Sequence, residues 1–190
     1  MNYKCLDKMT FVHNSFALAT LEYDDLFPIM KWRNEQMNIL RQNKELTEED
    51  QKRYWKEVIQ PSFNDPMPDI LLFKFLQKNQ MIGYGGLVYV NWIHKRAEVS
   101  FLMDTNFISD HNYYKDAFSI FLTLIKKVAL ECLRFNRLYT ETYDCRPLHV
   151  KVLEESGFRL EGRMRKHNFI NGRFVDSLIH GCIIDDSFKK

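Results

Sequence analysis

The triplet Trp32-Arg33-Asn34 places side chains that could bind a ligand at the end of a predicted helix. A guanidinium can form paired hydrogen bonds with phosphate or carboxylate, and an indole can stack on the face of a sugar or base. The alternative interpretation is structural, with Trp32 filling the core and Arg33 binding the last carbonyls of its own helix. The sequence leaves both interpretations open.

The segment 134–158 contains a second group of candidate residues. Residues 137–142 alternate in the manner of a β-strand, Pro147 suits the first turn of a helix, and Gly157 ends that helix. Glu141 lies on the predicted strand, where its carboxylate could orient an ammonium group. It could equally be an ion-pair partner on the sheet face.

Cysteine and histidine spacing does not indicate metal or disulfide chemistry. The histidines form no i, i+4 pair, and no two cysteines form a CxxC motif. We predict no metal, and we predict reduced thiols at Cys5, Cys132, Cys145 and Cys182.

Hydrophobic patterning predicts alternating strands and helices along the chain. Turn signals at 77–80, 91–95 and Asn171-Gly172 predict three hairpins, and Pro61 is expected to end the second helix. The predicted strands are 16–21, 70–76, 81–89, 97–104, 137–142, one starting at residue 158, and 176–184, and the predicted helices begin near residues 26, 47, 117 and 147.

Composition predicts one domain covering residues 1–190. A hydrophobic fraction of 45% excludes a disordered chain, and a net charge of +2 argues against a dedicated nucleic-acid binder. No apolar run is long enough to span a bilayer, and residues 1–20 lack a signal-peptide core. We therefore expect a cytoplasmic protein without nucleic-acid or membrane partners, with Lys189 and Lys190 exposed to solvent.

The C-terminal third resembles a known superfamily. VLEESGF at 152–158, followed by LEGRMRKHNFINGRFVDSLIHG at 160–181, is similar to the GNAT acetyltransferases, in the branch of ribosomal-protein N-terminal and nucleotide-amino-sugar N-acetyltransferases. The resemblance implies an α+β fold with a mixed sheet of six to seven mostly antiparallel strands, about four helices and splayed central strands. It also implies acetyl-CoA as co-substrate.

The same resemblance assigns roles to particular residues. In Ala97-Glu98-Val99, which is similar to the Ala-Glu-Ile of the family, Glu98 is the first candidate for the general base; a surface ion pair with Lys95 or Arg96 is the alternative. His149 or Tyr143 would return the proton to the thioester sulfur. Backbone groups of Leu102, Met103 and Asp104 would contact the pantetheine arm and polarise the thioester carbonyl.

The chain departs from the superfamily at the expected pyrophosphate loop. It has no glycine between Gly86 and Gly157, whereas relatives use glycine amides at a helix start to hold the pyrophosphate. Two outcomes stay open, namely loss of the anion site or its retention through other groups. The candidate cofactor-binding residues are His111, Asn112, Tyr113, Tyr114, Lys115 and Arg146.

The acceptor side is predicted from the resemblance of Trp32-Arg33-Asn34 to acetyltransferases of nucleotide-linked amino sugars. We expect a small-molecule primary amine, with a nucleotide-linked amino sugar first and a protein N-terminus second. A non-catalytic module with a degenerate pyrophosphate loop is the competing class, and a homodimer is the one assembly considered. The candidate acceptor-binding residues are Trp32, Arg33, Asn34, Tyr84 and Glu141.

Overall fold

A computed structural model describes residues 1–184, and its centre is one eight-stranded sheet. The strands are β1 (Thr10–His13), β2 (Phe16–Thr20), β3 (Leu71–Gln77), β4 (Gln80–Asn91), β5 (Arg96–Met103), β6 (Arg137–Tyr143), β7 (Arg159–Ile170) and β8 (Arg173–Ile183). They lie in the order β1-β2-β3-β4-β5-β6-β8-β7, and only β5 and β6 are parallel. The expectation for Lys189 and Lys190 lies outside the described residues.

The mixed, mostly antiparallel sheet is as predicted, but the predicted number of six to seven strands is wrong. The additional strand is β1, which pairs with β2 through a tight turn at Asn14, where φ is 53°. Four residues at the edge of a sheet carry too short an alternation to be recognised in the sequence. The remaining strands lie close to their predicted positions.

Two of the three predicted hairpin turns are confirmed by backbone conformation, and the third, at 91–95, by the antiparallel pairing of β4 and β5. Lys78 and Asn79 have φ values of 47° and 66° between β3 and β4. Asn171 and Gly172 have φ values of 49° and 78° between β7 and β8. Positive φ at both central residues is the signature of the type I′ turn, whose twist matches that of the strands it joins.

Four helical segments cover the sheet. They are α1 (Leu26–Glu35), α2 (Glu48–Tyr54) joined by a π-helical turn at Trp55–Ile59 to α3 (Gln60–Asn64), α4 (His111–Lys127) with a π-helical turn at Val128–Cys132, and α5 (Pro147–Glu155). Within residues 1–184, none of these helices is long and apolar enough to cross a membrane.

Pro61 does not end the second helix as predicted. The preceding turn is π-helical, and the Gln60 amide donates to the carbonyl of Trp55, five residues earlier. Pro61 then occupies the first turn of α3, where an amide needs no partner within the helix. The helix therefore continues to Asn64.

Helix α4 begins earlier than its apolar pattern predicts. The Asp110 side chain accepts hydrogen bonds from the amides of Asn112 and Tyr113, so residues 111–115 form the first helical turn rather than a loop. Phe118 and Phe121 lie on the buried face; Phe118 stacks on Phe101 of β5, and Phe121 packs against the same ring at an angle of 42°. This packing fixes α4 over the centre of the sheet.

Strands β5 and β6 diverge in the middle of the sheet, as the resemblance implies. They pair only from Arg96↔Arg137 to Glu98↔Tyr139, and beyond that point the two strands separate. On its other side, β5 remains paired with β4 as far as Met103. A gap therefore opens beside residues 99–103.

Of the three residues predicted to present backbone groups to this gap, Met103 does so, whereas Leu102 and Asp104 face β4. The Asp104 amide donates to the Ile82 carbonyl on the β4 side, at 2.9 Å, whereas the Met103 carbonyl faces away from β4 and accepts from Gln36. Because directions alternate along a strand, the Leu102 amide also faces β4, and the amides of Phe101 and Met103 face the gap. The amides of Leu102 and Asp104 therefore point away from the gap, and the predicted role of a backbone donor to the thioester stays a prediction for Met103.

Candidate active site

A cavity of about 880 Å³ lies where β5 and β6 diverge. Its lining combines three carboxylates, four guanidinium groups and aromatic rings. The candidate site residues among those that line it are Arg41, Glu98, Phe101, Glu141, Tyr143, Arg146 and His149. Glu98, Tyr143 and His149, the three predicted catalytic residues, thus share one cavity.

Glu98 and Glu141 are joined by a guanidinium that the sequence did not reveal. Arg41 Nη2 lies 2.7 Å from Glu98 Oε1 and 3.1 Å from Glu141 Oε2. Glu98 is therefore not paired with Lys95 or Arg96 as the alternative interpretation held. Arg41 lies in a polar loop between α1 and α2, where no periodicity or motif distinguishes it from a surface residue.

Glu98 retains one carboxylate oxygen for chemistry. Its Oε1 accepts from Arg41, while its Oε2 has no hydrogen-bond partner within residues 1–184. Burial raises the pKa of Glu98 and the nearby Glu141 adds to this, whereas Arg41 lowers it, and the net direction is upward. A carboxylate that is partly desolvated and has a free oxygen is suited to accept a proton.

Glu141 is held from its other side by the final strands. Ser177 Oγ donates to Glu141 Oε1 at 2.8 Å, and Asn168 Nδ2 donates to Ser177 Oγ at 2.9 Å. With Arg41, these contacts fix the carboxylate toward the cavity. The two open interpretations of Glu141 are compatible, because it is an ion-pair partner and also lines the cavity.

The residues of the Trp32-Arg33-Asn34 triplet lie in different environments. Trp32 is 4% exposed and packs in the core, which favours the structural interpretation of this residue over stacking on an acceptor. The Asn34 side chain binds the backbone of Leu46 and the amide of Gln42, which fixes the loop that carries Arg41. Asn34 therefore acts through this loop rather than on a ligand.

Arg33 faces cavity space and has no acidic partner within residues 1–184. Its Nη1 donates to the Tyr84 hydroxyl at 2.8 Å, and its Nε donates to Gln42 at 3.0 Å. It lines the large cavity and also an adjoining one of about 470 Å³, where Tyr84 lies. A guanidinium with unused donors and no neutralising carboxylate can bind an anionic group.

The predicted pyrophosphate site is filled by the protein's own side chain. Asp110 accepts from the amides of Asn112 and Tyr113, and its backbone carbonyl accepts from the Tyr114 amide. Lys115 is paired with Glu155 at 3.0 Å. The amides of Asn112 and Tyr113 are therefore not free to bind a pyrophosphate unless Asp110 moves.

The remaining predicted cofactor-binding residues are dispersed. His111 and Asn112 are exposed at the start of α4. Tyr113 donates to the Gln77 side chain at 2.5 Å, away from the large cavity. Tyr114 and Arg146 lie beside His149, and Arg146 lines the cavity.

Replacing Asp110 by Asn should strengthen acetyl-CoA binding about fivefold, or ~1 kcal/mol, by removing a negative charge from the helix N-terminus. Asn caps helices as well as Asp, so thermal stability should be retained. Calorimetric titration with acetyl-CoA measures the change. The Asp116→Asn variant, which removes an exposed charge one turn later without touching the cap, is the matched control. Equal affinities for Asp110→Asn and wild type would show that the helix start does not receive the pyrophosphate.

The structure shows no candidate metal site within residues 1–184. No group of three or more His, Cys, Asp or Glu side chains there is placed to hold a metal ion.

The comparisons with known proteins agree with this architecture. Residues 18–179 match the family model described as the acetyltransferase (GNAT) domain. No curated protein matches the chain in sequence.

Two solved structures illustrate the similarity. Spermidine N-acetyltransferase from Vibrio cholerae in complex with CoA and spermine has a TM-score of 0.79 at 19% identity, covering 93% of this chain and 100% of that chain. A dodecameric structure of spermidine N-acetyltransferase from the same organism has a TM-score of 0.75 at 21% identity, covering 93% and 98%. Identities this low show that the fold is shared, but they do not identify the substrate.

The family match confirms the predicted activity class, an acetyl-CoA-dependent N-acetyltransferase. It does not support the narrower branch of ribosomal-protein and amino-sugar enzymes. Because the match covers most of the sequence, the chain belongs to the GNAT acetyltransferase family.

Proposed function

We propose that the protein transfers the acetyl group of acetyl-CoA to the primary amine of a small molecule that also carries an anionic group. The observation that supports this site best is the pair Glu98 and Glu141, joined by Arg41 where β5 and β6 diverge. Carboxylates here favour an ammonium group, and the cavity is large enough for a small acceptor beside the thioester.

Each step of the transfer has a candidate group in the cavity. Acetyl-CoA supplies the acetyl group as a thioester. The amine nitrogen bonds to the acetyl carbon, and the carbon–sulfur bond breaks. Glu98 Oε2 accepts, directly or through water, the proton that the amine loses in this step. Burial raises the pKa of Tyr143, which keeps its hydroxyl protonated and able to donate a proton to the departing sulfur. The Phe101 amide faces the gap and can bind the developing oxyanion.

The charges around the cavity favour an acceptor with an anionic group. Its lining includes four arginines but only three acidic residues, so a ligand that is purely cationic would meet an excess of positive charge. Arg33 is the strongest candidate to bind the anion, because it has no acidic partner within residues 1–184. Among the predicted acceptors, a nucleotide-linked amino sugar combines a primary amine with phosphates.

A polyamine is the second candidate acceptor. It is favoured by the structural similarity to a spermidine N-acetyltransferase solved with CoA and spermine. Glu98 and Glu141 could bind one ammonium group of such a chain if Arg41 moved aside.

Release of free CoA in the presence of matched acceptors separates these candidates. The panel contains a nucleotide-linked amino sugar with a free amino group, spermidine, and a short peptide with a free N-terminus. Our proposal predicts turnover with the first, and loss of that turnover in an Arg33→Met variant. Turnover with spermidine alone would identify the polyamine as the acceptor, and turnover with the peptide alone would identify a protein N-terminus.

A further inference from the structure

Three side chains form a buried series of hydrogen bonds beside the active site. Arg146 Nη2 donates to the Tyr114 hydroxyl oxygen at 3.3 Å, and that oxygen lies 2.7 Å from His149 Nδ1. The arginine can only donate, so the Tyr114 oxygen accepts from it. Because residues 1–184 offer the Tyr114 hydroxyl proton no acceptor other than Nδ1, the hydroxyl donates to Nδ1. His149 Nδ1 is therefore an acceptor, and the proton of a neutral His149 ring lies on Nε2.

Aromatic packing holds the His149 ring in place. The ring stacks on Phe118 at a centroid distance of 4.2 Å and an angle of 17°, and Phe118 stacks on Phe101 at 4.6 Å. His149 is only 7% exposed, yet it lines the large cavity. Since Tyr114 occupies Nδ1, the Nε2–H group is the polar part of the ring available to the cavity.

The environment also fixes the charge of His149. Burial, and then the positive charge of Arg146, lower the pKa of His149 well below its ordinary value. The ring is therefore neutral near pH 7 and cannot serve as an imidazolium acid. A neutral Nε2–H can still donate a hydrogen bond to negative charge.

We propose that Tyr114 and Arg146 are positioning residues that hold His149 in its Nε2–H form, and that this N–H stabilises the negative charge developing on the thioester during acetyl transfer. The proposal rests on the proposed function. In this proposal Tyr114 and Arg146 act through His149, whereas the sequence predicted that they contact the cofactor directly. No proton transfer from His149 is required, because the group acts as a fixed donor.

The tautomer can be measured without any substrate. Nitrogen-15 NMR of histidine-labelled protein distinguishes Nε2–H from Nδ1–H, and the His149 signals are assigned by their loss in a His149→Gln variant. We expect His149 to be neutral and in the Nε2–H form at pH 7, and to populate both tautomers in a Tyr114→Phe variant. A protonated ring or an Nδ1–H form in the wild-type protein would overturn the proposal.

Steady-state kinetics test the use of this donor. Removal of one such donor typically lowers kcat by about 10²–10³-fold, so His149→Ala should show a loss of that order, and Tyr114→Phe a loss of about tenfold. The KM for acetyl-CoA should change little in either variant. The control is Tyr3→Phe, which removes a buried hydroxyl bonded to the backbone of Leu72 and should leave kcat unchanged.

The outcomes separate this proposal from the proposed function. A raised KM for acetyl-CoA with an unchanged kcat in Tyr114→Phe would show that Tyr114 binds the cofactor, contrary to the proposal. An unchanged kcat in His149→Ala would exclude the donor while leaving the acetyltransferase activity established. If the wild-type protein acetylates no amine although His149 has the expected tautomer, the proposed function fails and with it the catalytic use of the donor.

Discussion

Replacing Glu98 by Gln is expected to lower kcat by about 10²–10⁴-fold, the range typical for loss of a general base. The amide keeps the size of the side chain and can still bind a neighbouring group, but it cannot accept the amine proton. The KM for acetyl-CoA should change little, because Glu98 lies at the end of the paired part of β5, on the side of the cavity assigned to the acceptor. Initial rates of CoA release measure both parameters.

The pH dependence gives a second test of Glu98. Burial raises its pKa, and the base must be deprotonated, so activity should fall as the pH decreases through a value above the ~4.3 of an ordinary glutamate. This acidic limb of kcat/KM should be absent in Glu98→Gln. The control is Glu161→Gln, which breaks a carboxylate–arginine pair with Arg137 outside the cavity and should have wild-type kinetics. An unchanged kcat in Glu98→Gln would exclude Glu98 as the base.

Replacing Gly85 by Ala should destabilise the protein by about 3 kcal/mol and lower its melting temperature by roughly 10 °C. A Cβ atom there would lie 2.2 Å from the Ser100 carbonyl oxygen and 2.8 Å from Cζ of Phe121, and neither the backbone nor the packed ring can move without disturbing the core. Gly85 on β4 is paired with Phe101 on β5, so a displacement of the backbone at Gly85 would also move Phe101, which borders the gap. Thermal unfolding followed by circular dichroism measures the effect.

Gly162→Ala is the matched control for this prediction. Gly162 is also a strand glycine, but the nearest atom to its added Cβ would be Cβ of Ile179 at 4.0 Å. We expect a change in unfolding free energy within ~1 kcal/mol. Equal melting temperatures for Gly85→Ala and the wild-type protein would contradict the packing described for β4 and β5.

The glycine-rich segment IGYGGL, residues 82–87, can be interpreted from the sequence alone. Gly85 occurs in a strand-like run without the spacing or the following helix of a phosphate loop, which predicted close packing instead. The hairpins at 77–80 and 171–172 were equally predictable, because the residues of the turns determine their own backbone conformation. Local signals of this kind define most of the sheet.

The active site depends on contacts that local signals do not encode. Arg41 meets Glu98 across 57 positions of sequence, and Tyr114 meets His149 across 35. The residues next to Arg41 in the sequence do not indicate its partners. The loop that carries Arg41 is positioned by the hydrogen bonds of Asn34 with Gln42 and Leu46. Predicting Glu98 and His149 required resemblance to a family, and predicting their partners required the fold.

The first helix and the start of α4 show how patterns can misassign roles. Trp32 belongs to a triplet with ligand-binding chemistry, yet its position on α1 directs the indole into the core. Residues 111–115 are polar enough for a loop, but Asp110 caps them into a helix. For Trp32 the structural interpretation was available from the residue type, and tertiary placement decides between the two.

Acetyl transfer itself tests the central claim most directly. The protein is incubated with acetyl-CoA carrying a deuterated acetyl group and with each amine of the acceptor panel, and the products are identified by mass spectrometry. We predict a labelled amide on the amine that carries an anionic group, formed with an equal amount of CoA and lost in Glu98→Gln. Failure to form any labelled amide, with no binding of acetyl-CoA by calorimetry, would contradict the account and identify a GNAT fold used for binding alone.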